Sequence, residues 1–458
     1  MRVIICGAGQ VGYSIASYLA REENDVTVID LDRNAIEEVS ETLDVNAMVG
    51  HASDPEVLAA AGARDADLIV AVTDLDEVNM VACQVAHSLF GVPKKIARIR
   101  NKGYLGPEWA NLFSRAHMPI DVIISPEREV ARSIGQRLRI PGTTSVVPLA
   151  RGRVYLVGVM CDEACPLLNM QLEQLHGTFP DLCIEIAAIL RKGAMFLAGP
   201  DDQIQAGDEV FFFSDADHVP RAMAVFGHEE HKARQITIVG GGNVGMNLVR
   251  LIREEHKDVR IKLVEVDENR AVEISKAMPD IVVLHGNILN ASLMREAGMD
   301  HTETLIAVTN DDETNILSSL MAKQHGCQRV IALVNNPSYA NMTGPLGIDA
   351  TVSPRSSTVS TIMQHVRRGR IKALHSLRGG LAEIIEAEVS ETIPLANVAV
   401  SDLKLPKDVA VAMIMREDRV ILPRPDFVIR PGDHVMMLAA REQARKMEQM
   451  FSVQVDLF

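Results

Sequence analysis

Two glycine-rich segments carry the residues best suited to chemistry. Gly7-Ala8-Gly9-Gln10-Val11-Gly12 follows the apolar run at 3–6, and Gly240-Gly241-Gly242-Asn243-Val244-Gly245 follows the run at 236–239. Gly-x-Gly-x-x-Gly between a strand and a helix suits a pyrophosphate. The first glycine allows the tight turn, the second lets the backbone approach the phosphates, and the third lets helix and sheet pack closely. The helix N-terminus then offers N–H groups and partial positive charge. An acidic residue ends the next strand in each case, Asp30 at 18 residues after Gly12 and Glu265 at 20 after Gly245. A carboxylate there accepts hydrogen bonds from an adenosine ribose and repels a 2′-phosphate, which favours NAD over NADP at the first site.

Further polar residues are expected at the same edge of the sheet. Thr73-Asp74-Leu75-Asp76 and Thr309-Asn310-Asp311-Asp312 follow the fourth strand of each copy. Thr73 and Thr309 are expected near the ligand. Asp76 and Asp312, three residues on, read as the second half of a capping box and so as servants of the following helix. Arg98 ends the fifth strand, where a guanidinium either contacts phosphate or a neighbouring ribose or forms a surface salt bridge. Leu333 takes its place in the second copy, so the two sites are expected to differ. Gly241 is a further departure of the second loop. His51 and Asn287 match each other after the third strand and read as loop residues.

The elements that must position these groups repeat. Strands are predicted at 3–6, 26–29, 45–49, 68–72 and 95–99, and helices at 10–21, 35–41, 55–61 and 78–90. Near-continuous β-branched runs alternating with helices indicate a parallel sheet covered on both faces. The order recurs from Ile236 to Val334. Gly62 and Gly298, Thr73 and Thr309, and Asn79 and Asn315 all share one separation of 236 residues. The remainder repeats too: Gly207-Asp208 and Gly432-Asp433 each lead into an apolar strand, and Ser125-Pro126 and Ser353-Pro354 each open a connecting helix. The fold class is therefore α/β, with two Rossmann-like doubly wound parallel-sheet domains, each followed by a small α+β domain. The expected boundaries are 1–124, a connecting helix at 125–142, a small domain at 143–227, a second nucleotide-type domain at 232–352, a second connecting helix at 353–372, and a small domain at 373–453. Hinges are expected near Ile140-Pro141-Gly142, between Gly227 and Arg234, and at 368–372.

Bulk properties narrow the partners. A chain of 458 residues exceeds one ordinary core, and its 47% hydrophobic and 23% charged composition is globular. A net charge of −15 argues against nucleic acid as a partner. One tryptophan and 4% aromatics leave no stacking platform for single strands. No apolar run is long enough to span a bilayer and no leader precedes the first strand, so the expectation is a soluble cytoplasmic protein whose membrane role comes through a partner. The basic cluster Arg367-Arg368-Gly369-Arg370-Ile371-Lys372 reads as a solvated linker or an inter-domain ion pair. Cys6 and Cys83 read as small buried hydrophobes. Cys161 and Cys165 read as free thiols in a reducing compartment, with a metal or redox pair as the alternative.

Catalysis finds no support in the pattern. A dehydrogenase needs a proton-exchanging group beside the nicotinamide. No tyrosine has a lysine four residues later, and no His-Asp or Cys-His cluster recurs in both halves. Catalytic and metal-ligating residues are therefore not assigned, and the glycine sites read as sensors.

Together, Gly7–Gly12 with Asp30, the segment 71–79, Ala97-Arg98, their second copies and the two Gly-Asp turns resemble the tandem regulator-of-K+-conductance (RCK) proteins, in the arrangement of Trk-type potassium-uptake regulatory subunits. The resemblance covers nearly the whole chain. It implies a non-enzymatic gating subunit at the inner face of the plasma membrane, assembled as a homotetrameric ring beneath a membrane K+-translocating subunit. It implies binding of NAD(H), and of ATP or ADP at one of the two sites. By position, Gly7 to Gly12, Asp30, Thr73, Asp74 and Arg98 form the first site, and Gly240 to Gly245, Glu265, Thr309 and Asn310 the second. The alternatives are a regulator of K+ efflux and an NAD-dependent oxidoreductase.

Overall fold

The computed structural model describes residues 1–21, 24–179, 182–229, 231–256, 258–366, 371–377, 381–406 and 408–451. The expected basic cluster at 367–372 and the hinge at 368–372 fall largely outside them. The chain forms two compact units, 1–130 with 354–366, and 131–353 with 367–458.

The first unit contains β1 (Arg2–Cys6), α1 (Gln10–Arg21), β2 (Asp25–Asp30), α2 (Arg33–Thr42), β3 (Asn46–Val49), α3 (Pro55–Ala60), β4 (Leu68–Ala71), α4 (Asp76–Phe90), β5 (Lys94–Arg98), β6 (Val122–Ile124) and the start of α5 (Pro126–Arg139). All strands are parallel, in the order β3-β2-β1-β4-β5-β6. Both sheet faces are apolar because both are covered. Val3, Ile5, Val26, Val28 and Val70 pack beneath α1 through Ile15 and Leu19. Ile4, Cys6, Ile29, Ile69 and Ala71 pack beneath α3 and α4 through Leu58, Met80, Cys83 and Ala86.

The second unit continues with β7 (Thr143–Leu149), β8 (Val154–Met160), α6 (Glu173–Thr178), β9 (Ile184–Arg191), β10 (Ala194–Leu197), β11 (Glu209–Asp215) and α7 (Val219–Val225). A second parallel sheet follows, from β12 (Gln235–Val239), α8 (Asn243–Glu255), β13 (Arg260–Glu265), α9 (Glu268–Ala277), β14 (Val282–His285), α10 (Ala291–Glu296), β15 (Thr304–Ala307), α11 (Asp312–Gln324), β16 (Arg329–Leu333), α12 (Pro337–Thr343) and β17 (Ala350–Val352). Its order, β14-β13-β12-β15-β16-β17, is that of the first sheet. After α13 (Pro354–Val366), the chain ends in β18 (Ile371–Leu377), β19 (Ala382–Glu388), β20 (Val409–Arg416), β21 (Arg419–Ile421), β22 (His434–Ala440) and α14 (Ala444–Phe451). The two antiparallel sheets, β10-β9-β11-β8-β7 and β18-β19-β22-β20-β21, share one topology. They pack face to face through Leu156, Phe211 and Phe213 on one and Ile384, Met413, Met436 and Leu438 on the other. The Glu386 carboxylate accepts from the Ala150 N–H across this core at 3.0 Å.

The two connecting helices are exchanged. α13 leaves the second parallel sheet yet belongs to the first unit, where Ile362, Met363 and Val366 are buried beside α1. α5 leaves the first sheet, and from Ala131 onward it belongs to the second unit. Gly135 lies so close to Leu251 of α8 that a Cβ would meet its Cδ2 at 2.5 Å. The turn after α5, expected to hinge, is clamped in this unit. Arg329 donates to the carbonyls of Arg137 (3.0 Å) and Thr143 (2.9 Å), and Arg139 pairs with Glu255.

Candidate functional site

In the first unit β1 lies between β2 and β4, so the loops after these strands meet at the carboxyl edge where the strand order reverses. Such a crevice is the ligand position of doubly wound sheets. Gly7 has φ +112°, and a Cβ on it would stand 3.0 Å from the Thr73 nitrogen. A Cβ on Gly12 would fall 1.8 Å from the Gly7 carbonyl oxygen. No described atom lies within 4 Å of a Cβ on Gly9. Two of the three glycines are thus needed by the fold itself, and the middle one faces open space where a phosphate would lie. Gln10, Val11 and Gly12 form the first turn of α1, ahead of the first intrahelical bond from Tyr13 N to the Gly9 carbonyl (2.8 Å). Their amides face the crevice end of the helix.

Asp30 is held in place by backbone amides. One oxygen accepts from Ala8 N (2.6 Å), the other from Asp32 N (2.9 Å). Each oxygen keeps a second lone-pair direction for a ribose hydroxyl. Beneath the loop, burial, and secondarily the Asp30 charge, push the Cys6 thiol up to about 12, so it is no nucleophile.

The expectation of a capping box is overturned. Leu75, which makes no side-chain cap bond, is the N-cap of α4. Thr73 instead donates both its N–H (2.9 Å) and its hydroxyl (2.7 Å) to the Asn79 carbonyl oxygen. The Asn79 amide donates to the carbonyls of Thr73 (3.1 Å) and Arg98 (2.9 Å). Asn79, fully buried, thus ties the ends of β4 and β5 together. Asp76 serves the next loop, accepting from Arg100 N and Asn101 N. The local reading failed because these partners are about 25 residues away in sequence.

Arg98 is largely buried, with its guanidinium 3.5 Å from Asp74. Among the described residues its Nε has no hydrogen-bond partner. Burial, then the nearby Arg100, lowers its pKa, so the site would gain from an added anion. Arg100 and Glu127, which sequence reasoning did not single out, complete the cluster. Arg100 lies 3.6 Å from Asp74 and 3.8 Å from Glu127.

The second site keeps the skeleton and loses this cluster. Gly240 has φ +106°, a Cβ on Gly245 would lie 2.0 Å from the Gly240 carbonyl oxygen, and the space beside Gly242 is open. Asn243, Val244 and Gly245 form the first turn of α8. Glu265 accepts from Gly241 N (2.7 Å) and Asp267 N (3.0 Å), as Asp30 does from Ala8 and Asp32. Asn315 binds Thr309 and the Leu333 carbonyl with the geometry of Asn79. Asp311 caps α11, and Asp312 binds Asn335 N and Asn336 N. Asn310, Leu333, Asn335 and Arg355 replace Asp74, Arg98, Arg100 and Glu127. Arg355 is not at this site: on exchanged α13, it donates to the Ser14 hydroxyl of α1 in the first unit.

Gly241 has a geometric reason. A Cβ there would meet Glu265 Oε2 at 2.8 Å and Ile274 Cδ1 at 2.4 Å. The longer glutamate fills the space that Ala8 occupies above Asp30. Arg270, also missed, donates to the Gly241 carbonyl (3.2 Å) and pairs with Glu273 at 2.6 Å. Ala35 stands in its place in the first copy. Leu31 and Val266 each follow the carboxylate and are 64% and 67% exposed, a matched apolar pair beside the expected adenosine. A signal for them was available: an apolar residue at one position of a repeat, exposed in both copies.

Comparison with known proteins gives a consistent family. The TrkA-N domain family matches residues 3–126 and 236–354, and the TrkA-C domain family matches 384–452. The chain is 47% identical to the Trk system potassium uptake protein TrkA of Azorhizobium caulinodans and 38% identical to that of Halomonas elongata, in both cases covering 100% of each chain. Its fold resembles the GsuK RCK domain (TM-score 0.60, 17% identity, 98% of this chain and 94% of that one) and the GsuK channel bound to NAD (TM-score 0.60, 17% identity, 98% and 78%). A shared fold at that identity says nothing of ligands, but full-length identity of this degree to TrkA proteins does fix the family. The chain belongs to the TrkA family of Trk system potassium uptake proteins.

Proposed function

We propose that this chain is a cytoplasmic nucleotide-sensing subunit that gates a membrane K+-translocating subunit of the Trk type. It is a regulatory protein and not an enzyme. The boundaries expected above are proposed as its functional division, with the glycine units as sensors and the small domains as the assembly and transmission layer. A homotetramer, with eight glycine units in a ring at the inner face of the membrane, is the proposed assembly.

The observation that carries the reading is that, at the carboxyl edge of one sheet, the Arg98 Nε has no hydrogen-bond partner among the described residues, the space beside Gly9 is open, and backbone amides anchor Asp30. A dinucleotide supplies what each lacks: phosphate charge for Arg98 and the α1 amides, and ribose hydroxyls for Asp30. Thr73 and Asp74 then border the ligand, and Asp74 competes with it for Arg98. The first site is therefore assigned NAD(H). The second, with Gly240 to Gly245, Glu265, Thr309 and Asn310 but no arginine at Leu333, is assigned a mononucleotide, ATP or ADP. Relatives named as potassium uptake proteins, and a similarly folded channel described as bound to NAD, support the direction.

Gating follows if two arrangements of the ring coexist and one binds nucleotide better; binding then shifts the population. Such coupling typically amounts to about 1–3 kcal/mol per effector. Titration of NAD, NADH, ATP and ADP into wild type, Asp30→Ala and Glu265→Ala tests the assignment. Each variant should lose one ligand class. Loss of every ligand in one variant and none in the other would leave a single working site and refute the two-sensor reading.

A further inference from the structure

Arg355 reaches the first nucleotide unit from the second half of the chain. It stands in the first turn of α13, between Pro354 and Ser356. Two anchors hold that helix against the unit. Ile362, Met363 and Val366 are buried in the same core as Ile15 and Leu19 of α1, and the Thr361 hydroxyl donates to the Glu129 carboxylate (3.2 Å). With α13 so placed, the Arg355 Nε donates to the Ser14 hydroxyl. Ser14 in turn donates to the carbonyl of Gln10 (2.7 Å), the first residue of α1. Side chains on a helix tilt toward its N-terminus, so these two bonds lead toward the glycine loop. The guanidinium is held beside the first turn of α1, whose amides face the crevice.

The charge there is one-sided. Among the described residues the Ser14 hydroxyl is the sole partner of Arg355, and no carboxylate pairs with it. Both terminal nitrogens keep their N–H groups for another acceptor. Neither α1 nor α13 has an acidic residue in its first turn, whereas α5 has Glu127 and Glu129. A guanidinium in the first turn of its own helix lies at the positive end of the dipole, and an anion in front of it offsets both. The arrangement is particular to one copy. Glu127 holds the place of Arg355 in the first connecting helix, and Asn247 that of Ser14 in α8.

We propose that Arg355 is a phosphate-binding residue of the first nucleotide site, contributed by the second half of the chain. The inference rests on the nucleotide reading above and adds a contact to it. The terminal N–H groups of Arg355 donate to non-bridging oxygens of the pyrophosphate, alongside the amides of Gln10, Val11 and Gly12. α13 follows β17 and precedes β18. A nucleotide bound to Arg355 therefore holds the start of the segment that joins the second parallel sheet to the last small sheet.

The test is calorimetric titration of NADH into the full-length chain, Arg355→Ala and Arg355→Lys, with adenosine as a competitor that lacks phosphate. Arg355→Ala should weaken NADH binding by about tenfold or more and make it less sensitive to salt, with adenosine competition unchanged. Arg355→Lys should recover part of the loss, since the charge returns without the fork of donors. Bound NADH should also slow amide exchange at 356–366 in the wild type but not in Arg355→Ala. If ligand-free Arg355→Ala already exchanges faster there, Arg355→Gln, which keeps a donor for Ser14, takes its place. Unchanged NADH affinity in the variant, or an equal loss for adenosine, would overturn the proposal. NADH binding that Asp30→Ala leaves intact would instead overturn the site assignment, and this inference with it.

Discussion

The two glycine sites of this chain have the same backbone and different electrostatics. Each has a positive-φ first glycine against a threonine nitrogen, a third glycine over the first one's carbonyl, a carboxylate on the loop amide, and a buried asparagine joining the fourth and fifth strands. The four charged residues Asp74, Arg98, Arg100 and Glu127 exist as a cluster only in the first. Both copies keep the backbone skeleton and its carboxylate, while the charge cluster differs between them. The pair Gly241 and Glu265 makes the same point on a smaller scale: the carboxylate lengthened, the facing Cβ is absent, and the anchoring bond is unchanged.

The largest effects should come from the glycines that separate folding from binding. Gly12→Ala and Gly245→Ala each force a Cβ to about half a normal contact distance from a backbone carbonyl, and should cost roughly 3 kcal/mol or more in urea unfolding. Gly9→Ala and Gly242→Ala should leave stability within about 0.5 kcal/mol and weaken nucleotide binding. Equal unfolding losses for all four would contradict the division of labour.

Exchanging the fifth-strand residues comes next. Arg98→Leu should weaken ligand binding at the first site by about 1.5–3 kcal/mol, measured by calorimetry. Leu333→Arg puts a charge at a position only 4% exposed, with no Asp74 equivalent, and should destabilise the second unit rather than create a new phosphate site. Gain of NAD binding by Leu333→Arg would show that the arginine alone distinguishes the sites.

The asparagine pins give a matched comparison. Asn79→Ala and Asn315→Ala each leave buried backbone groups unpaired and should each cost about 1–3 kcal/mol. A clear inequality would locate a difference between the copies outside the charge cluster. Gly241→Ala should cost about 1–3 kcal/mol by overpacking, and the shorter acid in Gly241→Ala with Glu265→Asp should recover part of it. Additive losses in that double mutant would break the compensation argument.

The smallest contrast is in the small sheets. Glu185 on β9 stands where Ala410 stands on β20, and burial pushes its carboxyl up to about 7. The folded pKa exceeds the unfolded one, so the unfolded chain releases its proton first. Stability from this group is thus complete below the ordinary carboxylate range and is lost as pH rises toward 7. Glu185→Gln should flatten that slope by a few degrees of melting temperature, roughly 2–4 °C per kcal/mol.

Much of this was legible in the sequence, for a physical reason. Glycine loops, strand-end carboxylates and a repeat of 236 residues are local or periodic features, and the parallel sheets followed from continuous β-branched runs. The roles of Thr73, Asp76 and Asn79 were not legible. A polar residue near a helix start can cap it or reach a distant loop, and only tertiary packing selects. Arg270 was hidden because it lies on α9, outside any motif, and touches the site through a carbonyl. The clamp by Arg329 was hidden because its acceptors, the carbonyls of Arg137 and Thr143, are backbone groups common to every sequence.

The exchange of α5 and α13 has a consequence for ancestry and for truncation. Each parallel sheet is finished by a helix encoded in the other half of the chain. A half-length protein, cut between Gly227 and Arg234, would leave Ile362, Met363 and Val366 without their apolar bed in one fragment and that bed bare in the other. Each such side chain represents roughly 1.5–3 kcal/mol of burial. Two half-length chains trading this helix would satisfy both, which is the geometry of a domain-swapped dimer. The present chain holds the same helix exchange within one polypeptide. Its separately produced halves should be insoluble alone and recover by complementation when expressed together.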